Sequence, residues 1–208
     1  MAGHGHSHGG CDHSGTQLPP DQGIHYSLYT KIDKANVECL NEAVEGSGKE
    51  VFKPWEERLN HDKFVDSDVD EELLFNIPFT GSVKLKGIIL IGGEDQSYPS
   101  KMRLFKNRPH LSFDNVASEA DQEFELHPDP SGTIEYSTKI VKFSGVQHLS
   151  LHFPTNFGAE NTRIYYIGLR GEYSELPRQE LTLFCYESSP NPADHKIDSV
   201  HSVMHQIH

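Results

Sequence analysis

The sequence has few cysteines, and none of them is placed for redox chemistry. Cys11, Cys39 and Cys185 are odd in number and widely separated, and no Cys-x-x-Cys pair occurs. Disulfide-stabilised secreted proteins and dithiol enzymes need paired thiols. The sequence also has no apolar run approaching the roughly 20 residues of a membrane-spanning helix. These absences predict a protein of a reducing compartment, the cytoplasm or the nucleus.

Basic residues are scarce. The chain has 18 Lys and Arg against 31 Asp and Glu, which gives a formal net charge of −13 at pH 7. A surface this negative is repelled by nucleic-acid phosphates and by anionic lipid headgroups, so we expect neither nucleic acid nor membrane as a direct partner. The same charge favours basic surfaces on other proteins.

Motifs that carry catalysis are also missing. The sequence contains no Gly-x-Ser-x-Gly elbow, no P-loop and no dinucleotide fingerprint. The turn Gly92-Gly93-Glu94-Asp95 places carboxylates where a phosphate loop needs backbone amides and a lysine. We therefore expect a protein that is not an enzyme and that uses no cofactor.

Composition divides the chain into three zones. Residues 1–23 are rich in His and Gly and contain too little apolar surface to offset their ordering entropy, so they are predicted to be disordered. Residues 24–187 hold nearly all the large apolar side chains and are predicted to form one domain. Residues 188–208 turn to Ser, Pro, Asp and His and are predicted to form an extended tail.

The middle zone alternates apolar and polar residues with a period of 2, which is typical of β-strands. No helix longer than a turn or two is well signalled. Strands separated by short turns, without intervening helices, predict an all-β protein, a Greek-key or jelly-roll sandwich. The predicted strands cover residues 73–79, 83–91, 102–106, 134–143, 148–153, 163–170 and 181–185, with turns at Thr80-Gly81, Gly92-Gly93, Pro130-Ser131-Gly132 and Phe157-Gly158.

An acidic segment, residues 66–72, is the first candidate for function. It fails the pattern of an EF-hand calcium loop because its sixth position is Glu71 and its twelfth is Ile77. Three interpretations stay open: a calcium site pooled from several loops, a solvated acidic loop, and a recognition surface for a basic partner. The candidate residues are Asp66, Asp68, Asp70, Glu71 and Glu72.

Histidines are concentrated in the two tails. His4, His6 and His8 alternate with small residues, but a free Gly-rich segment has no means of fixing the convergent ligands of a metal site. We therefore predict no metal site in this chain. His208, the last residue of the sequence, combines an imidazole with a carboxylate. One hypothesis is that it enters an open metal site on a partner protein; the alternative is an ordinary tail.

Several ordered blocks of sequence are more specific than the periodicity. They are Phe52-Lys53-Pro54-Trp55-Glu56-Glu57-Arg58, Leu73-Leu74-Phe75-Asn76-Ile77-Pro78-Phe79, Arg103-Leu104-Phe105-Lys106-Asn107, Tyr166-Ile167-Gly168-Leu169-Arg170-Gly171-Glu172 and Asn191-Pro192-Ala193-Asp194-His195. Together they resemble the PITH domain family over residues 24–195, approximately. The resemblance implies a jelly-roll β-sandwich akin to galactose-binding-like domains, association with the regulatory particle of the 26S proteasome, and a location in cytoplasm and nucleus.

The sequence departs from those family members that carry a thioredoxin domain with a Trp-Cys-x-x-Cys site. Its only tryptophan, Trp55, is followed by Glu56, Glu57 and Arg58. The resemblance therefore implies a stand-alone PITH domain without oxidoreductase activity. Trp55 and the three charged residues after it are candidate interaction residues, because a half-exposed Trp beside an Arg is a common interface anchor. The alternative for Trp55 is packing in the core or at a sheet edge.

Two functions follow from these observations. The leading one is a non-enzymatic protein-interaction module, an adaptor or regulator associated with the proteasome, which we expect to be a monomer. The alternative is a jelly-roll domain that binds a small ligand or glycan. Trp55, Glu57 and Arg58 form the only cluster in the sequence that suggests an aromatic platform for a sugar.

Overall fold

The computed structural model describes residues 28–175. The predicted tails and the predicted strand at residues 181–185 lie outside these residues. Within residues 28–175 no helix is long and apolar enough to span a membrane. The described residues contain eight strands, one short α-helix and the 3₁₀ turns Trp55–Glu57 and Asp95–Ser97. The strands and the α-helix are β1 Glu38–Leu40, α1 Ser47–Glu50, β2 Val65–Asp66, β3 Leu73–Gly92, β4 Lys101–Lys106, β5 Gln122–Glu125, β6 Glu135–Ser137, β7 Val146–Phe153 and β8 Arg163–Ser174.

The strands form two antiparallel layers that share β3. The first half of β3 pairs with β1 on one side and with β7 on the other, and β4 and β5 extend this layer beyond β7. The second half of β3 pairs with β6 and β8, and β2 lies at the edge beyond β8. Apolar side chains from both layers form one buried cluster between them. The predicted all-β jelly-roll sandwich is confirmed.

The prediction of a turn at Thr80-Gly81 is wrong, because strand β3 runs through this pair. The pair Thr80-Gly81 was expected to separate two strands, but the chain continues through it as one strand of 20 residues. The pairing register with β7 shifts between Pro78 and Val83, where β3 leaves one layer for the other. A side chain at Gly81 would collide with the ring of Tyr173, so glycine lets the strand cross this point. The turn signal thus marks a crossover between layers.

Strand bounds also differ from expectation elsewhere. The predicted strand at residues 134–143 is limited to β6, because residues 139–143 turn, with the amides of Lys142 and Phe143 donating to the carbonyl of Lys139. The short strands β1, β2 and β5 were not predicted. Strands of two to four residues carry too few alternating positions to show a period.

Each layer also has a covered outer face. Leu149, Leu151 and Phe153 point into the core, as the alternation in β7 predicts. On the opposite face of β7, Ser150 and His152 are buried as well, since residues 107–121 fold across it and supply their own apolar cluster. Polar residues in a strand therefore do not mark an exposed surface in this protein.

Candidate functional site

The first candidate site is the Trp55 turn, defined as residues 54–58. A 3₁₀ turn spans Trp55–Glu57, and Pro54 precedes it with its backbone angle fixed. The amide of Glu57 donates to the carbonyl of Pro54 at 3.0 Å, and the amide of Arg58 donates to that of Trp55 at 3.2 Å. Glu56 and Glu57 are exposed. The turn thus has a fixed backbone that presents two carboxylates.

Trp55 is half-buried and packs on the outer face of the second layer. Its ring contacts that of Tyr166 edge-on, with 6.4 Å between centroids and an interplanar angle of 72°. Ile89 and Ile91 of β3 complete this small cluster. Part of the Trp55 ring is therefore packed on the sheet, and its role as an interaction residue stays a prediction.

Arg58 lies over the remaining face of Trp55. Its guanidinium carbon is 4.1 Å from the centre of the indole ring, and its Nη1 donates to the carbonyl of Trp55 at 3.2 Å. The Nε atom of Arg58 and the hydroxyl of Tyr166 are buried and have no hydrogen-bond partner within residues 28–175. Burial raises the pKa of Tyr166, so its phenol stays neutral.

The second candidate site is the acidic loop, defined as residues 66–72, which begins with an ion pair. Asp66 accepts two hydrogen bonds from the guanidinium of Arg163, at 2.6 Å from Nε and 2.6 Å from Nη2. The hydrogen bonds to Asp66 raise the pKa of Arg163. Planar two-point pairing of this kind fixes orientation as well as charge, so β8 anchors the start of the loop.

Asn41 fixes the centre of the acidic loop. Its backbone is in the left-handed region, with φ of 66°, which a short polar residue tolerates. Its side-chain oxygen accepts from the amide of Val69 at 3.1 Å, and its Nδ2 donates to Oδ1 of Asp70 at 2.8 Å and to the carbonyl of Glu72 at 2.7 Å. One amide side chain thus holds three consecutive parts of the loop.

The end of the loop is tied to β7. Oε1 of Glu72 lies 2.5 Å from Nε2 of His152, whose side chain is buried. The other carboxylates have different roles. Asp68 is exposed, Glu71 is half-buried, and neither carboxylate has a hydrogen bond within residues 28–175. Val69, between Asp68 and Asp70, is 84% exposed. The loop is pinned by Arg163, Asn41 and His152, and it presents Asp68, Val69 and Asp70 to solvent.

Neighbouring loops enlarge this acidic surface. The amide of Ala43 donates to the carbonyl of Asp66, Nδ2 of Asn161 donates to the carbonyl of Ser67, and the amide of Phe157 donates to the carbonyl of Gln96. We call residues 41–46, 66–72, 94–97 and 154–162 the acidic end. These segments contain no Lys or Arg, and their carboxylates belong to Glu42, Glu45, Asp66, Asp68, Asp70, Glu71, Glu72, Glu94, Asp95 and Glu160.

The Trp55 turn and the acidic loop lie at separate places in the structure. The Trp55 turn packs on Tyr166 and the acidic loop pairs with Arg163, three residues apart on β8, or roughly 10 Å along a strand. His208 lies outside the described residues. Within residues 28–175 no group of three or more His, Cys, Asp or Glu is placed to hold a metal ion, so the pooled calcium site gains no support there.

Sequence reasoning missed the residues that hold the acidic loop. Arg163 is 97 positions from Asp66, and Asn41 is 29 from Asp70. The acidic loop itself was visible as a charge run. Its partners carry no local signal, because antiparallel pairing of distant strands brings them together.

The described cysteine is not a nucleophile. Cys39 is half-buried in β1 and packs against the core. Burial and, to a smaller extent, the nearby Glu42 carboxylate raise the pKa of its thiol well above the ordinary value. Because the thiolate is the reactive form, Cys39 is unsuited to nucleophilic or redox chemistry.

The fold and the site define an antiparallel jelly-roll sandwich that presents a pinned acidic loop beside a Trp–Arg turn. The PITH domain family matches residues 19–190. The chain belongs to this family. It is 60% identical over 196 residues to a PITH domain-containing protein of Drosophila pseudoobscura pseudoobscura, with 93% of each chain covered. It is 56% identical over 209 residues to PITH domain-containing protein 1 of Homo sapiens, covering 99% of this chain and 98% of that one. Neither name states a catalytic activity.

Solved structures with a similar fold are remote in sequence. The family 32 carbohydrate-binding module of C. perfringens NanJ, solved with galactose, has a TM-score of 0.46 and 7% identity, covering 67% of this chain and 97% of that one. A fucose-binding module of Streptococcus pneumoniae has a TM-score of 0.45 and 8% identity, covering 66% and 93%. At these values the likeness carries no functional conclusion.

Proposed function

We propose that this protein is a non-catalytic interaction module that binds the regulatory particle of the 26S proteasome, as an adaptor or regulator, in the cytoplasm and nucleus and as a monomer. The observation that carries the proposal is the acidic loop, which is pinned by Arg163, Asn41 and His152 yet exposes Asp68 and Val69. A loop that only solvates the surface needs no such anchoring. A fixed loop loses less conformational entropy on binding.

Charge supports a protein partner with a basic surface. The segments of the acidic end contain no Lys or Arg, and Arg163, which lines the same cleft, is paired with Asp66, in a chain of net charge −13. Complementary charge raises association rates and selects among partners more than it adds affinity. Val69 contributes an apolar contact in the middle of the carboxylates. The acidic end therefore offers a polar rim around an exposed apolar side chain.

The Trp55 turn is proposed as a second contact. Trp and Arg are enriched among residues that dominate binding energy at interfaces. The ring of Trp55 and the guanidinium of Arg58 are held against each other at 4.1 Å before any partner arrives. Such preorganisation favours binding, since neither side chain has to be ordered in the complex.

Two observations support a role without catalysis. Burial raises the pKa of the Cys39 thiol, which keeps this thiol in its unreactive form. The printed names of the relatives mention only the domain. We therefore propose binding as the whole of its biochemical activity.

The glycan-binding alternative receives less support from the geometry. A sugar stacks on an open aromatic face, but Arg58 already covers one face of Trp55 and Tyr166 meets its edge. The cleft at the acidic end, about 480 Å³, is lined by Asp66, Ser67, Asn161 and other small or polar residues without an aromatic side chain. A glycan array tests this alternative, and we expect no signal and no sugar-dependent rise in melting temperature.

The decisive experiment measures binding to purified 26S proteasome. The wild-type chain is compared with Asp68→Lys/Glu71→Lys, which reverses two carboxylates of the acidic loop. The matched control is Asp114→Lys/Glu175→Lys, which makes the same charge change at exposed positions outside the acidic end. We expect the first variant to weaken binding by about tenfold or more and the control to bind nearly as the wild type does.

Affinity purification from cells with mass spectrometry complements this measurement. Regulatory-particle subunits are expected with the wild type and depleted with the acidic-loop variant. Consistent absence of these subunits with the wild type would refute the proposed partner. Equal loss in both variants would instead refute the acidic loop as the contact.

A further inference from the structure

A group of lysines lines one cleft of this acidic protein. The cleft has a volume of about 240 Å³ and lies between α1 and the Trp55 turn. Its lining residues are Lys34, Lys49, Glu50, Phe52, Lys53, Pro54, Glu57 and Lys63. We call it the lysine pocket. It shares Pro54 and Glu57 with the Trp55 turn, but its four lysines have no role in the proposed function.

The charges in the lysine pocket are unbalanced. Lys34, Lys49, Lys53 and Lys63 are set against the carboxylates of Glu50 and Glu57. A local positive excess in a chain of net charge −13 attracts anions.

The ammonium groups are held in place by backbone oxygens. Nζ of Lys34 donates to the carbonyl of Phe52 at 2.7 Å, Nζ of Lys49 to that of Ala35 at 3.1 Å, and Nζ of Lys53 to that of Lys63 at 3.2 Å. Nζ of Lys53 also donates to the carbonyl of Asn60 at 2.5 Å. Each ammonium has three donors, so at least one donor of each lysine remains for a ligand after these bonds are made.

Lys53 is the least exposed of the four. Its side chain is buried, with 4% of the residue exposed. Burial lowers the pKa of Lys53, and nearby Lys63 lowers it further, against the opposing effect of Glu57. A bound anion would relieve this repulsion and stabilise the charged form.

Glu50 shows where an anion is stabilised. Its carboxylate lies 2.7 Å from Nζ of Lys63. The hydrogen bond from Lys63 lowers the pKa of Glu50, and the charges of Lys34 and Lys53 lower it as well. Three ammonium groups therefore act on one carboxylate position at the mouth of the pocket.

We propose that the lysine pocket binds a phosphate group, as free phosphate or as a phosphate monoester on a partner. The volume is below the roughly 300–1,000 Å³ of pockets that bury drug-sized ligands, which suits a single compact group. Lysine binds phosphate as a point charge with rotatable donors. Four ammonium groups set against the carboxylates of Glu50 and Glu57 leave a surplus of two positive charges, which a dianion balances.

The experiment follows backbone amide signals by NMR while two probes are added. One probe is inorganic phosphate, with chloride at equal ionic strength as its control. The other is a short peptide with one phosphoserine, with the unphosphorylated peptide as its control. We expect saturable chemical-shift changes at residues 34, 49–53 and 63. The dissociation constant should be below about 10 mM for at least one of the two probes, inorganic phosphate or the phosphoserine peptide.

Three variants test whether phosphate binding changes in the direction that the charges of the lysine pocket predict. Lys34→Gln/Lys49→Gln is expected to weaken binding by about tenfold, and Glu50→Gln to tighten it by about threefold, because the competing carboxylate is neutralised. Lys84→Gln/Lys139→Gln makes the same charge change elsewhere and is expected to leave binding unchanged. Melting temperatures confirm that each variant is folded.

The outcomes distinguish free phosphate from a phosphorylated partner as the ligand of the lysine pocket. Binding of inorganic phosphate alone assigns a free phosphate, and tighter binding of the phosphopeptide assigns a phosphorylated partner. The proposal is overturned if neither probe gives saturable shifts at the pocket, if the unphosphorylated peptide binds equally, or if all three variants bind alike. None of these results depends on proteasome binding, so the proposed function is tested separately.

Discussion

Nε2 of His152 and Oε1 of Glu72 lie 2.5 Å apart and join the middle of the first layer to the end of the acidic loop. The imidazole is buried, and its Nδ1 has no hydrogen-bond partner within residues 28–175. The ring of Phe113 meets it edge-on. This pair couples the protonation of a buried histidine to the position of a surface loop.

We predict that stability falls as the pH drops below about 6.5, the pKa of an unfolded histidine. Burial lowers the pKa of His152 in the folded protein, against the opposing effect of Glu72. The unfolded state then takes up its proton at a higher pH than the folded state does, so acid favours unfolding. The stability is fully present above pH 6.5 and is lost as the pH falls through the folded pKa.

Urea denaturation from pH 7.5 to pH 5 measures this effect. The variant His152→Gln keeps a hydrogen-bond donor for Glu72 but does not titrate, so its urea midpoint should change less with pH than that of the wild type. An exposed-histidine variant, His127→Gln, should keep the wild-type slope. Parallel slopes in all three proteins would refute the assignment to His152.

The variant Asn41→Gly should loosen the acidic loop without changing its charge. Glycine accepts the left-handed backbone of this position, so the loss reflects the side chain alone. Removing three loop hydrogen bonds is expected to cost about 1–3 kcal/mol in the free energy of unfolding. Faster amide exchange at residues 69–72 and weaker proteasome binding are both expected. Unchanged binding would show that anchoring is irrelevant to the proposed contact.

The variant Gly171→Ala should destabilise the second layer. Gly171 permits close packing of β8 on β3, since an added Cβ at this position would collide with the carbonyl of Lys84. Backbone cannot move aside as a flexible side chain does, so we expect a loss of about 1–3 kcal/mol or more. Chemical denaturation gives the value, and Ser174→Ala on the same strand, where the side chain is exposed, should change little.

The variants Trp55→Phe and Trp55→Ala should separate packing from recognition. Phenylalanine retains an aromatic edge for Tyr166 and a face for Arg58, whereas alanine loses both. We expect Trp55→Ala to cost about 1–3 kcal/mol in the free energy of unfolding, since the ring is half-buried, and Trp55→Phe to cost less. If both variants retain wild-type affinity for the proteasome, the Trp55 turn is structural only. Trp55 is the only tryptophan, so its fluorescence reports on this turn alone.

Deleting residues 200–208 tests the hypothesis for His208. If the terminal imidazole and carboxylate enter an open metal site on the partner, the truncated chain should bind the proteasome at least tenfold more weakly. Replacing His208 with Asn, which keeps the terminal carboxylate, should give part of the loss. Unchanged affinity in the truncated chain would end the hypothesis.

Local patterns predicted the core strands well, and the reason is visible in β7. Leu149, Leu151 and Phe153 alternate with polar residues, and the core-facing side of a strand needs that period. The same reasoning failed at Thr80-Gly81, because a turn residue pair and a crossover between layers both require a small residue. Only the pairing partners before and after this point, β7 and β8, distinguish them.

The candidate site was predictable in its charges but not in its geometry. A run of carboxylates at residues 66–72 is plain in the sequence. Which of them face inward depends on Arg163, Asn41 and His152, and these contacts arise only when distant strands pair. The lysine pocket was missed for the same reason, since Lys34 and Lys63 are separated in the chain by β1, α1 and the 3₁₀ turn at Trp55–Glu57.

The 20-residue strand β3 has a consequence for folding. Because one continuous strand supplies hydrogen bonds to both layers, we expect the opening of one layer to disturb the other across the crossover. The two layers should therefore melt as one cooperative unit with high contact order and slow folding. Native-state hydrogen exchange would then show the amides of residues 73–78 and 83–91 opening with the same free energy, on either side of the crossover.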